Sequence, residues 1–517
     1  MHSKRYVIAL IALIVALGGL LMGFDASVIS GVVGFIEPEF QLTKLELGWS
    51  VASLTLSATL AMMFAGPLSD KIGRRAVLRI AAILYAISAL GSALAPDFFW
   101  LVVARMIGGF GVGASLILAP MYIAEMSPPE LRGRMVSFNQ LNIVIGISLA
   151  FFTNYLILQY AKETSGWVTS LGLSGNEWRW MFGLETVPAM LYFIGLFFVP
   201  KSPRWLILQG KEEEARKIMC RLTSEQEADH VLEEMKNQDS DQGEAKGKLK
   251  DLLHPSLRLV LTIGIVVAVL QQITGINSVF FYAPMIFEQS GIGTDASFVQ
   301  AILVGLTNLV FTVVAMLFID RLGRKPLLSF GVAGIALCMF LLSYSFYDAT
   351  YAVKADTFYM IEDLDPSTVE PLVGQVYQSD KEFSAALATV LTEEQITEHK
   401  SALVTATIKM NSMLILWAII GFVASFAVSI GPVMWVLFSE LFPNAIRGIA
   451  ISFVGLINSA ISFLVQWIFP WELEALGSSA TFLIYGLFAA AGLIFIIRVI
   501  PETKGKSLEE LEAQLVK

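Results

Sequence analysis

Charge is what this sequence lacks. Only 15% of its 517 residues are Asp, Glu, Lys or Arg, against roughly 25% in an ordinary soluble chain. The net charge of −9 offers no basic surface for nucleic acid, whose phosphates need clustered Lys and Arg. There are two cysteines, Cys220 in a charged stretch and Cys338 in an apolar one, so no disulfide framework holds the fold. The four histidines, His2, His230, His254 and His399, lie outside the apolar runs and show no metal-ligand spacing. No nucleophile motif or phosphate-binding loop stands out either. No enzyme activity, metal or cofactor is expected.

What the sequence has instead is apolar length. Hydrophobic residues make up 56% of the chain, and the mean hydropathy is +0.68. A soluble core cannot absorb that much apolar surface, whereas a lipid bilayer covers it. Lys4 and Arg5 followed by an apolar run resemble a signal peptide, but no cleavage site follows and the run continues to Val33, so it reads as a first span. Runs of membrane length fall at 6–33, 47–68, 76–95, 99–122, 135–160, 180–199, 257–286, 297–319, 326–347, 411–438, 446–470 and 479–499. All must be helices, because a backbone facing lipid has to satisfy its own hydrogen bonds.

The loops give the orientation. One set carries Lys71, Arg74, Arg75, Arg79, Arg132, Arg134, Arg321, Arg324, Lys325 and Arg447, and the chain ends match it with Lys4, Arg5, Arg498, Lys504 and Lys506. The opposite loops carry Glu37, Glu39, Asp97, Glu177, Glu472 and Glu474. Cytoplasmic loops hold the excess of Lys and Arg, so both termini face the cytoplasm. Residues 200–256 are a charged cytoplasmic linker, in which Lys211–Lys217 reads as a surface helix. Residues 348–410 form an acidic outer insert, expected to be a small helical cap with a helix starting at Thr392.

The chain also repeats itself. Gly66-Pro-Leu-Ser-Asp70-Lys-Ile-Gly-Arg74-Arg75 is echoed by Asp320-Arg-Leu-Gly-Arg324-Lys325. Glu125 followed by Leu131-Arg132-Gly-Arg134 is echoed by Glu440 followed by Ile446-Arg447-Gly448. Pro200-Lys-Ser-Pro203 is loosely echoed by Pro501-Glu-Thr503. The second set is spaced more widely, and the excess falls on the outer insert. The repeat divides the chain into an N-terminal six-helix bundle (1–199), the linker (200–256), a C-terminal six-helix bundle (257–499) and a cytoplasmic tail (500–517). Two such halves with the substrate between them form a rocker-switch transporter. Asp70 with Arg132 or Arg134, and Glu440 with Arg324, would clip helices together when the cytoplasmic side closes. Arg74, Glu125, Asp320 and Arg447 belong to the same latch.

These motifs, together with Gly23-Phe-Asp25, Arg105-Met-Ile-Gly-Gly109, Trp178-Arg-Trp180, Gln271-Gln-Ile-Thr-Gly-Ile-Asn277 and Gly431-Pro-Val-Met-Trp435, resemble the sugar porter family of the major facilitator superfamily. The resemblance covers nearly all of the chain except the outer insert. Lys201 departs from it, where the family usually has Glu. It implies an all-α membrane protein that acts as a monomer in the bacterial cytoplasmic membrane and imports a monosaccharide, hexose or pentose, with a proton. A passive sugar facilitator, a polyol or inositol–proton symporter, and a sugar-sensing receptor are the alternatives.

Asp25 lies inside the first span and Arg105 inside the fourth. Charged groups at membrane depth are costly, so they pair and serve function. Asp25 is expected to accept the proton, with Arg105 as its movable partner. The resemblance supports this, since proton symporters of the family carry Asp there.

For the sugar, amides supply both donors and acceptors to hydroxyl groups, and aromatic rings cover the C–H face. Gln271, Gln272 and Asn277 lie close together on the seventh span, with Gly275 allowing a bend. The resemblance assigns these three to the sugar, with Asn308, Trp435 and Asn458, and makes Phe280, Phe281 and Tyr282 an outer aromatic wall. Ile147 and Ser459 stand where many relatives have Gln and Trp. Both departures are expected to alter which sugar is preferred.

Overall fold

A computed structural model describes residues 2–511 apart from 128, 164, 224, 227, 231, 234–249, 251, 253, 355–365, 444–445 and 507–509. Among the described residues, 12 helices are long and apolar enough to cross a membrane: Tyr6–Glu39, Lys44–Ile72, Arg74–Ala93, Phe98–Met126, Met135–Ala161, Glu177–Phe198, Pro255–Phe281, Thr294–Ile319, Arg324–Tyr347, Ser412–Leu441, Arg447–Ala475 and Ser478–Val499. They are called here the first to the twelfth spans.

Local chemistry marks where several of them begin. Thr43 accepts from the Glu46 amide while Glu46 reaches back to Thr43, a capping box ahead of the second span. Asp97 accepts from the Trp100 amide at 3.0 Å and starts the fourth. The turns entering the third and ninth spans rest on Gly73 and Gly323, at φ 96° and 92°, where a side chain would be strained.

The repeat in the sequence is a repeat in packing. The first span packs on the fifth, the second and third on the fourth, and the third on the sixth. Likewise the seventh packs on the eleventh, the eighth and ninth on the tenth, and the ninth on the twelfth. Small residues allow the close approach that drives helix association in lipid. Gly23 of the first span lies against the Ile143 carbonyl, and Gly146 of the fifth against the Leu20 carbonyl.

The halves join through the second span against the eleventh and the fifth against the eighth, two contacts that the repeat exchanges. Much of this contact is at the outer rim. The Trp467 indole donates to the Leu45 carbonyl at 3.1 Å, and Trp49 meets Phe463 and Trp467 edge-on at 6.0 and 5.9 Å. Lys162 pairs with Asp295, and Gly48 sits directly on the Trp467 carbonyl. The outer mouth is therefore shut.

Three spans are interrupted. The sixth breaks at Leu184 and Glu185, between helices Glu177–Gly183 and Thr186–Phe198. The seventh breaks at Gly275, φ 87°, between Arg258–Ile273 and Ile276–Phe281. The tenth breaks at Ser429, between Ser412–Val428 and Ile430–Leu441. Broken helices place unpaired backbone groups inside the membrane, which is tolerated where they line a site.

The outer insert is not the purely helical cap expected. Strands Thr350–Ala352, Val376–Tyr377 and Ile408–Lys409 form a small antiparallel sheet with the first in the middle. Tyr351 stacks on Phe383 at 5.0 Å within a separate small core. The helix Glu393–Thr407 does begin at Thr392, in a capping box with Gln395. In the linker, the expected surface helix runs Glu212–Leu222. Arg216 holds Asp229 through two hydrogen bonds of 2.6 and 2.9 Å, and this pairing keeps the Asp229 carboxyl below its ordinary range.

Candidate functional site

In the N-terminal half, Arg105 donates to the Asp25 carboxylate at 2.7 Å and to the Asp25 carbonyl at 3.1 Å. Both side chains are almost fully buried. Asp25 Oδ2 and Arg105 Nε have no hydrogen-bond partner. Packing limits the space here, since a side chain at Gly108 would run into Ser88 and Asp25 Oδ2.

A third ionisable group stands near this pair. Glu185, at the break in the sixth span, is buried and interacts electrostatically with both Asp25 and Arg105. Its Oε1 has no hydrogen-bond partner. Sequence reasoning singled out Asp25 and Arg105 inside their spans and passed over Glu185. The signal was present, an acid within the apolar run 180–199. Arg105 bonds Asp25 directly, and two carboxyl groups stand near one guanidinium, so one bound proton would bring the three groups to neutrality.

In the C-terminal half, four of the predicted amides, Gln271, Gln272, Asn277 and Asn458, form one network. Gln271 donates to the carbonyls of Ile430 and Gly431, each at 3.2 Å, beside the break in the tenth span. Gln272 donates to Gln271 and to Asn458, each at 3.1 Å. Asn458 donates to Gln271 at 2.8 Å and to the Ala268 carbonyl at 2.9 Å. Asn277, just past the break in the seventh span, donates to Gln272 at 2.8 Å and to Ser462 at 2.7 Å. The network runs on through Gln466, which donates to Ser462 at 2.7 Å. Sequence reasoning missed Ser462 and Gln466, although with Asn458 they recur at helical spacing on one face of the eleventh span.

The remaining predicted sugar residues differ in setting. Asn308 is nearly buried in the eighth span. Trp435 is 49% exposed on the inner part of the tenth span, edge-on to Phe438 at 6.0 Å. Phe281 is half-buried. Phe280 and Tyr282 do not form a wall with it. Both are buried in the core, and the Tyr282 hydroxyl donates to the Gln466 carbonyl at 3.0 Å. On the six-residue helix Ile276–Phe281, successive residues point in different directions, so neighbours cannot share one face. Ile147 and Ser459 are half-buried.

On the cytoplasmic side, the latch residues form matching clips within each half. Arg74 binds Asp70 at 2.6 Å and Glu125 at 3.2 Å, and Ser202 donates to Glu125. Arg324 binds Glu440 at 2.8 Å, and Thr503 donates to Glu440 at 2.6 Å. Asp70 pairs with Arg74 across the turn at Gly73. The side chains of Arg132, Arg134 and Asp320 lie outside the described residues. Arg447 donates to the Phe442 carbonyl at 3.0 Å.

The clips differ at one position. Glu502 accepts from the Arg324 and Lys325 amides at the start of the ninth span, each at 3.1 Å. Burial acts to raise its carboxyl, but the amides of Lys504, Arg324, Lys325 and Thr503 outweigh that and hold it below the ordinary range. The matching residue in the first half is Lys201, which binds Glu214 of the linker helix at 3.0 Å instead.

Comparison with known proteins agrees with this arrangement. The family described as "Sugar (and other) transporter" matches residues 11–361 and 384–515. The chain is 36% identical to the arabinose-proton symporter of Bacillus subtilis (strain 168), over 100% of this chain and 96% of that one. It is 34% identical to the D-xylose-proton symporter of Escherichia coli (strain K12), over 99% of this chain and 96% of that one. Among solved structures, the inward open conformation of the xylose transporter from E. coli superposes with a TM-score of 0.73 at 32% identity, covering 98% of this chain and 100% of that one.

Proposed function

This chain belongs to the sugar (and other) transporter family, and we propose that it imports a monosaccharide together with a proton by alternating access. It is a multi-pass membrane protein, and its relatives named above are bacterial. The bacterial cytoplasmic membrane is therefore its proposed location, with the monomer as the working unit.

The observation that carries the reading is the buried Asp25–Arg105 pair with Glu185 beside it. A passive carrier needs no buried cluster of two acids and one base, and such a cluster at membrane depth is expensive. Asp25 is proposed to take the proton and Arg105 to serve as its partner. Arg105 is proposed to exchange its bond between Asp25 and Glu185 by local side-chain movement during the cycle, so that Asp25 is engaged after releasing its proton and disengaged while holding one.

Gln271, Gln272, Asn277, Asn308 and Asn458 are proposed to bind sugar hydroxyls, with Trp435 and Phe281 covering the C–H face. Gln271, Gln272, Asn277 and Asn458 now bond one another, so a sugar binds by exchanging those bonds for its own. The Arg74 and Arg324 clips are proposed to hold each half rigid, so that the halves move as bodies.

The test is a liposome assay with a pH-sensitive dye trapped inside, adding one sugar at a time without an imposed gradient. The expected result is proton entry driven by a sugar, abolished in Asp25→Asn while sugar exchange continues. Sugar entry without protons would make the chain a facilitator. Equal loss of exchange and uphill uptake in Asp25→Asn would remove the proton-specific role of that residue.

A further inference from the structure

The amide network does not end at the sugar residues. Gln466 is 1% exposed on the eleventh span and is bonded at three points. Its Nε2 donates to Ser462, which also accepts from Asn277. Its carbonyl accepts from Tyr282, on the piece of chain that follows the break at Gly275. Its Oε1 accepts from Thr55 at 2.8 Å, and Thr55 belongs to the second span, in the other half. One buried residue therefore touches the amide cluster and the opposite half through its side chain, and the broken part of the seventh span through its carbonyl.

We propose that Gln466 is a positioning residue that couples occupancy of the amide site to the seal between the halves, through the path Asn277, Ser462, Gln466 and Thr55. This rests on the amide cluster being the sugar site.

The chemistry of each link supports transmission. Ser462 Oγ accepts two N–H donors, from Asn277 and from Gln466, which uses both of its lone pairs. A sugar hydroxyl that takes the Asn277 amide removes one of them and frees Ser462 to turn. Gln466 then loses the partner that fixes its amide plane, and with it the aim of Oε1 at Thr55. Movement of the Ile276–Phe281 piece acts on the same residue a second time, through Tyr282 and the Gln466 carbonyl. The Thr55 bond lies inward of the rim contacts made by Leu45 and Trp49, on the membrane-interior side of the seal. It is thus placed to respond to the site before the rim does.

The experiment uses the full-length chain in right-side-out vesicles. Ser30 is buried and lines the cleft between the first span and Pro284 and Met285 at the outer side. In Ser30→Cys, labelling by a membrane-impermeant maleimide added outside reports opening of the outer mouth. Thr55→Val keeps the shape and removes the donor, and Thr55→Ser restores it. With Thr55→Val, labelling without sugar rises about fivefold, the weight of one ordinary hydrogen bond. Labelling then no longer responds to sugar although sugar still binds in detergent, and Thr55→Ser behaves as the parent.

If labelling of Thr55→Val responds to sugar as the parent does, the coupling through Gln466 is overturned and the sugar reading stands. If no sugar changes labelling or binds in the parent, the sugar reading fails and the coupling falls with it.

Discussion

At the scale of single residues, the proton cluster makes the sharpest demand. Asp25 and Arg105 bond directly, yet Asp25 Oδ2, Arg105 Nε and Glu185 Oε1 are buried without partners. Leaving three such atoms in a dry interior costs stability, which is reasonable only where partners are exchanged during work. Glu185→Gln removes the second acid and leaves Arg105 to Asp25 alone. The ion pair then no longer has an alternative, so proton release stalls. Uphill accumulation is expected to fall about tenfold or more, the effect of ~1.4 kcal/mol, while exchange of labelled sugar across the vesicle membrane continues. Equal loss of both rates would make Glu185 a structural acid. Asp25 and Arg105 were legible in the sequence as charged groups inside apolar runs, and the amides through the motifs that carry the family resemblance. Ser462 and Gln466 were not, because helical spacing shows that residues share a face without showing what that face meets.

At the scale of elements, the span limits follow the hydrophobic pattern closely, since bilayer thickness sets the length of an apolar helix. The sixth run, read as 180–199, is the span Glu177–Phe198. The outer insert was harder to read. Its strands are two or three residues long, too short for alternation to appear, and their pairing is fixed by contacts distant in sequence. The local pairing of Asp70 with Arg74 across the turn at Gly73 was not read from the sequence, because attention fell on arginines of other loops. The break in the seventh span was legible through Gly275, and it can be tested. Gly275 combines φ 87° with a backbone held against the Tyr485 ring. Gly275→Ala adds a steric clash and a left-handed backbone penalty of roughly 1–2 kcal/mol. Asn277 then loses its register with Gln272, so sugar affinity should drop while the protein still inserts. Adding Tyr485→Ala relieves the clash but not the backbone, so affinity should recover only in part, as measured by equilibrium binding in detergent. Full recovery would show that the positive φ is unimportant.

At the scale of the whole molecule, the question is what holds the halves in this arrangement. The second and eleventh spans close the outer rim through aromatic contacts and the Trp467–Leu45 hydrogen bond. That approach is possible only because residue 48 has no side chain, since a Cβ there would occupy the position of the Trp467 carbonyl oxygen. Backbone cannot move aside as the tip of a flexible side chain can, so any larger residue must part the two spans. The same residue has no such neighbour once the halves rock apart at the outer end. Gly48→Val therefore penalises the inward-facing arrangement alone and shifts the population outward. Sugar offered from outside should bind at least as tightly as to the parent, while net uptake falls because the loaded carrier cannot close its outer mouth. Labelling of Ser30→Cys from outside should rise in this background, and adding Thr55→Val should raise it little further, since the bond to Gln466 is already open. If the two substitutions instead raised labelling independently, the rim and the deeper Thr55 contact would be separate seals, and the halves would not move as rigid bodies.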